Sequence, residues 1–158
     1  MLPITTYTCQ EKIAARIDAS NKKAAFVCLS KLLAQGHENS SKLARKIFIK
    51  MYAREKIGST NLNNSVATPR AVLTEITSPT IAVITLGTPI AFSDDDNKNM
   101  VDIVVGLLIP RSMVTSIGNE LLEQEFQIFK NERFCQQLRD CNDNKSLYNA
   151  LLLSEIDT

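Results

Sequence analysis

The stretch Val101-Asp102-Ile103-Val104-Val105-Gly106-Leu107-Leu108-Ile109 constrains the fold of this chain more than any other. It is rich in β-branched residues, apolar almost throughout, and has no helix-like spacing. A strand with one wet face would alternate polar and apolar side chains. A strand apolar on both sides must be covered on both sides, so residues 101–109 are expected to form a central strand between two layers. The uninterrupted part, residues 103–109, is far too short to cross a bilayer. Residues 80–86 have the same β-branched character, and residues 12–17 are a weaker strand candidate. Pro79, Gly87-Thr88-Pro89 and the polar run 93–99 read as turns that punctuate the strands.

On either side of the strands the period changes to that of amphipathic helices. The first pattern opens after Ser20 or Asn21, puts Ala25, Cys28, Leu29, Leu32 and Leu33 on one face, and stops at Gly36. The second starts near Asn39 or Ser40 and carries Leu43, Ile47 and Met51, with Ala44 and Phe48 alongside. Gly58 is its expected terminator, which puts Arg54 and Glu55 in the last turn. The third begins around Thr115 or Ser116, with Ile117, Leu121, Leu122, Phe126 and Phe129 as its apolar stripe. Asn131 is a fresh N-cap for a continuation with Phe134 and Leu138. Asp143 precedes a short last helix with Leu147, Tyr148 and Leu151. Helices, then strands, then helices around one sheet make an α/β sandwich.

At 158 residues the chain is one domain's worth, residues 1–158, with no linker or repeat to divide it. A net charge near zero and the absence of a basic stripe argue against nucleic acid as a partner. Cys9, Cys28, Cys135 and Cys141 show no Cys-x-x-Cys pairing, and Cys28 and Cys135 fall among apolar neighbours, so reduced, buried thiols are expected. Residues 1–10 lack a charged segment followed by an apolar one, so the chain reads as cytoplasmic, without membrane insertion. Asp94-Asp95-Asp96-Asn97 is no calcium loop, since Lys98 occupies a ligand position and the turn glycine is missing. No zinc spacing, P-loop or dinucleotide fingerprint occurs, and no metal or cofactor is called for.

The segment Arg54-Glu55-Lys56-Ile57-Gly58-Ser59-Thr60 leads into Asn61-Leu62-Asn63-Asn64-Ser65-Val66-Ala67-Thr68-Pro69-Arg70. Thr88-Pro89-Ile90-Ala91-Phe92, Val101-Asp102-Ile103, Leu107-Leu108-Ile109-Pro110, residues 135–139 and Leu147-Tyr148 follow in order. This ordered set, covering residues 10–152, resembles the enzyme IIA domains of the bacterial phosphotransferase system. The likeness is to the fructose/mannitol class and most to its nitrogen-regulatory branch. The resemblance implies the mannitol-type enzyme IIA sandwich, a mixed sheet flanked by helices on both faces.

The departures from that pattern gather where the chemistry would be. The family reads Gly-Ser-Thr-Gly-Ile-Gly-Asn-Gly-Ile-Ala-Ile-Pro-His, and its final histidine takes a phosphoryl group from the phosphocarrier protein. Here that place is held by Arg70, whose guanidinium stays protonated and has no lone pair to offer. Asn61, Asn63 and Ser65 stand where the family has glycines. Asparagine tolerates left-handed backbone, so the loop path is expected to survive at Asn61 and Asn63, with Ser65 the less comfortable replacement. The family's second histidine falls at about Ser116 or Ile117. The only histidine is His37, in the loop between the first two helices, where the family has no chemistry.

Rescue by another nucleophile is not expected. None of the cysteines is expected to adjoin the 58–70 segment, and their apolar neighbours disfavour a thiolate. Ser59, Ser65 and Thr68 are hydroxyls without a base. The resemblance therefore implies no active enzyme but a regulatory protein-binding module, whose targets would be proteins such as a transporter or a sensor kinase, or the phosphocarrier protein itself. Its pocket would comprise Arg54, Thr60, Asn61, Asn63, Arg70 and Ser116, holding an anion or an acidic partner residue. Arg54 and Arg70 would repel there unless a carboxylate such as Glu55 lay between them. The other course open to Arg70 is to turn to solvent or pair with a surface acid. The competing functional readings are an active phosphocarrier component with a non-standard acceptor and a purely structural partner protein.

Overall fold

The computed structural model describes residues 4–62, 64–92 and 100–154. Strand β1 (Ile13–Ile17) is followed by helices α1 (Lys22–Ala34) and α2 (Ser40–Ile57). Strands β2 (Val66–Ala67), β3 (Arg70–Leu73), β4 (Thr80–Ala91) and β5 (Met100–Pro110) come next, then α3 (Asn119–Phe129), α4 (Glu132–Arg139) and α5 (Asn144–Ser154). The five strands form one mixed sheet in the order β1-β4-β5-β2, with β3 also on β5. β1 runs parallel to β4, β4 antiparallel to β5, and both short strands parallel to β5.

The nearly unbroken apolar run is indeed the central strand β5, and its alternation shows why it has no polar face. Val104 and Leu108 join Phe26, Leu29 and Leu33 of α1 and Ile47 and Met51 of α2 in one core. Ile103, Val105, Leu107 and Ile109 join Leu121, Phe129, Leu138, Leu147 and Leu151 in the other. Each fully buried aliphatic side chain contributes on the order of 1.5–3 kcal/mol, so both layers are anchored by the same strand. Gly106 lies on the α1 side, where a Cβ would come within 2.6 Å of Leu29 Cδ2 and 3.2 Å of Leu33 Cδ1. Gly106→Ala is expected to cost about 1–3 kcal/mol in urea unfolding through overpacking. Adding Leu29→Ala should recover part of that loss, and a strictly additive double variant would show the crowding to be unimportant.

The helix boundaries follow their local chemistry. The Asn21 side chain accepts from Ala24 N at 2.8 Å, and Gly36 takes a left-handed φ of 91° just past the end of α1. Asn131 and Asp143 cap α4 and α5 by accepting from Phe134 N and Ser146 N. Three expectations need correction. Gly87-Thr88-Pro89 is no turn; β4 runs through it, exposed, with its register shifting between Thr85 and Ile90. The two strands β2 and β3 were unforeseen, being too short to show a period. The third helix proper begins at Asn119, after a π-helical turn over Val114–Gly118. Phe126 is 49% exposed rather than part of its stripe, and Glu125 is buried instead. The polar run 93–99 lies outside the described residues.

Candidate functional site

The candidate site is built where α2 ends and the chain doubles back to the sheet edge. Arg54 Nη1 donates to Gly58 O at 2.9 Å, so this arginine caps its own helix, and its charge suits the helix C-terminus. Glu55 is 7% exposed; its carboxyl accepts from Thr60 Oγ1 at 2.6 Å and lies 3.5 Å from Lys22 Nζ. Thr60, thus fixed, accepts at its carbonyl from both the N–H (3.1 Å) and hydroxyl (2.9 Å) of Thr68. Asn61 bridges Ala67 in antiparallel fashion, and Leu62 N donates to Val66 O. The segment is therefore a closed hairpin resting on β5.

Of the residues replacing glycines, Ser65 is the one found left-handed, with φ 67°, as its discomfort in that role suggested. Asn61 is not among the residues of positive φ, so its tolerance for that conformation is unused. Asn63 lies outside the described residues. The Ser65 carbonyl accepts from Asp102 N at 3.1 Å, which seats the turn on β5. From the other side Arg139 donates to Asn64 O at 2.7 Å while its Nε binds both Asp102 oxygens at 3.0 and 2.9 Å. Asn64 Nδ2 donates to Phe129 O at 2.6 Å and meets Cys135 Sγ at 3.4 Å. Contrary to expectation, a cysteine does adjoin the segment, brought there by the fold from 71 residues away. Burial pushes its thiol up to about 11, which disfavours the thiolate that a nucleophile needs. Cys28 is half-buried rather than buried, and all four cysteines are free.

Arg70 opens β3 opposite Leu107. Ala71 and Leu73 face the α1–α2 core, so strand alternation sends Arg70, like Val72, toward the α3 side. It is half-buried; its Nη2 lies 3.5 Å from Thr68 O, and its Nε is buried without a hydrogen-bond partner. Facing it is Glu125 of α3, 1% exposed, with neither carboxyl oxygen hydrogen-bonded. Burial pushes the Glu125 carboxyl up to about 8, against the pull of Arg70. Burial likewise lowers the Arg70 value; Glu125 opposes this, Arg54 adds to it, and Glu55 opposes it. Arg54 and Arg70 thus do share one electrostatic field. The carboxyl foremost in that field is Glu125 rather than Glu55, which is engaged by Thr60 and Lys22. Arg70 neither turns out to solvent nor pairs with a surface acid.

Raised to about 8, the Glu125 carboxyl is biased toward its protonated, neutral form beside the Arg70 guanidinium, whose field Arg54 shares. Ser116 is exposed on the π-helical turn, with its hydroxyl donating to Met113 O at 3.4 Å. His37 is exposed before α2, roughly 20 Å along that helix from Arg54 at 1.5 Å per residue. Glu125 and Arg139 were missed as site residues. The sole signal for Glu125 was its position four residues after Leu121 and four before Phe129, which puts it on their buried face.

This arrangement, an edge loop after α2 backed by a mixed sheet between two helical layers, is that of a phosphotransferase-system IIA domain. A family model described as phosphoenolpyruvate-dependent sugar phosphotransferase system, EIIA 2, matches residues 7–154, and the chain belongs to that family. Within it the chain is a nitrogen-regulatory IIA-like protein. It is 30% identical over 151 residues to the nitrogen regulatory protein of Klebsiella oxytoca, covering 95% of this chain and 90% of that one. The crystal structure of nitrogen regulatory protein IIA-Ntr from Neisseria meningitidis superposes with a TM-score of 0.79 at 23% identity, over 94% of this chain and 98% of that one. IIA mannitol from Escherichia coli gives 0.71 at 16% identity, over 90% and 97%. Among the described residues no helix is long and apolar enough to cross a membrane.

Proposed function

We propose that this protein is a regulatory binding module of the phosphotransferase system that does not accept a phosphoryl group. Arg70 stands at the acceptor's place, and the pocket holds an anionic group of a protein partner without covalent chemistry. The observation that carries this reading is the Arg70–Glu125 pair. A guanidinium cannot be a nucleophile, and the neutral acid facing it supplies a further donor rather than a base. With Arg54 close by, these groups suit a carboxylate or phosphate oxygen, for which charge-assisted hydrogen bonds are the strong kind. His37 is too far along α2 to substitute, and Cys135 is held as a thiol. The targets on this reading are proteins such as a transporter or sensor kinase, or the phosphocarrier protein bound without transfer.

Incubation with phosphoenolpyruvate, enzyme I and the carrier protein, followed by intact mass measurement, tests the first half. The expected result is an unchanged mass, while a related histidine-bearing IIA protein in the same tube gains one phosphoryl group. A stoichiometric, acid-labile gain on this chain would establish the active-carrier reading instead.

A further inference from the structure

The layer formed by α1 and α2 carries a cleft whose lining does not include Arg70. Between the two helices, this cleft of about 400 Å³ is lined by Ser30 and Lys31 on one side and Ser40, Ser41, Arg45 and Phe48 on the other. Small-molecule sites begin at about this size. Helix α2 starts in the cleft without a side-chain cap. Its N-cap, Asn39, is left-handed (φ 56°) and its side chain bonds no backbone N–H, while the first turn contains no acid. The leading N–H groups and the positive end of the helix dipole are therefore uncompensated there. Lys31 and Arg45 add two cations, and neither has an ion-pair partner among the described residues.

Ser30 supplies the independent pointer. It is 1% exposed, lines the cleft, and its hydroxyl has no hydrogen-bond partner. A helical serine ordinarily bonds the carbonyl one turn back, and a buried hydroxyl left unpaired is costly. One turn further along both helices the lining becomes apolar, with Val27 three residues before Ser30 and Phe48 three after Arg45. The polar end and the apolar end are thus ordered along the cleft.

We propose that this cleft binds a small phosphomonoester with an apolar or aromatic body. The phosphate sits at the start of α2 between Lys31 and Arg45, accepting from the Ser30 hydroxyl, and the body lies along Val27 and Phe48. Such a site would make the helical layer a sensor of a phosphorylated metabolite, independent of whether Arg70 holds a partner's anion.

The test is an amide NMR titration of the full chain with phenyl phosphate, inorganic phosphate and benzyl alcohol as probes. Phenyl phosphate is expected to shift the amides of Ser30, Ser41 and Arg45 saturably, and inorganic phosphate to bind the same place about tenfold more weakly. Arg45→Glu and, separately, Lys31→Glu should each weaken phenyl phosphate by about tenfold, with the rest of the spectrum unchanged because both side chains are exposed. Ser30→Ala should weaken it by about threefold to tenfold. The proposal fails if no saturable shift occurs by on the order of 10 mM. It also fails if Arg45→Glu and Lys31→Glu bind as the wild type does, or if inorganic phosphate matches phenyl phosphate, which would leave an adventitious anion site.

Discussion

Glu125→Gln should leave stability nearly unchanged at pH 4 and raise it by up to about 5 kcal/mol at pH 9. The carboxyl is raised from 4.5 to about 8 in the folded state by burial. A group raised in this way binds more protons folded than unfolded between those two values. The wild type therefore holds its full stability below about pH 4.5 and loses it as pH climbs through about 8. At 1.36 kcal/mol for each unit of difference, the whole loss is about 5 kcal/mol. Glutamine keeps the shape and neutrality of the protonated acid, so the penalty disappears. Urea unfolding at pH 4, 7 and 9 measures it; parallel pH curves for variant and wild type would mean that Glu125 is not buried as described. Arg70→Met gives the converse control. It removes the charge that draws Glu125 toward ionisation, so the stability loss should start at the same pH but run on to higher pH and become larger. The same titration alters the site, adding a negative charge beside Arg70 as the pH climbs through about 8.

Arg139→Met should cost about 3 kcal/mol and loosen the candidate site before the rest of the molecule. Arg139 is the point at which α4, β5 and the 58–70 segment meet, through Glu132, Asp102 and the Asn64 carbonyl. Its side chain is 16% exposed and that of Asp102 is 18%, so removing one partner strands a largely buried charge. Methionine keeps much of the aliphatic bulk and isolates the electrostatic loss. Hydrogen exchange should quicken at Val66 and Asp102 amides, at the turn that Ser65 seats on β5. If those amides exchange only with global unfolding, Arg139 is merely structural and does not set the loop.

How far the fold was legible depended on the length of each element. Residues 101–109 announced a two-sided central strand because nine residues are enough to show the missing polar face. Asn21, Asn131 and Asp143 marked their helices correctly because capping is a local interaction. Strands β2 and β3, with two and four residues, carry no period of their own and exist only because β5 offers them partners. Gly87 and Pro89 misled in the other direction: they sit at a register shift, where exposed strand tolerates both. In the site, the motif identified the loop, and the positive φ of Ser65 agrees with the strain expected there. Glu125 was not legible, because a carboxyl on an apolar helix face is disfavoured unless something compensates it. The one charge that draws on it, Arg70, is 55 residues away in sequence and does not outweigh its burial.

The hydrogen bond from Ala15 N to Asn144 Oδ1, at 2.7 Å, and that from Arg16 Nη2 to Arg139 O, at 3.0 Å, join segments more than 120 residues apart. β1 pairs with β4 on one side only, so its outer rim stays open until the last helices arrive. During synthesis β1 thus waits for residues made more than 120 positions later, with an unpaired edge available to other chains in the meantime. Nascent chains of this protein should therefore be most in need of protection by chaperones until Arg139 and Asn144 have emerged.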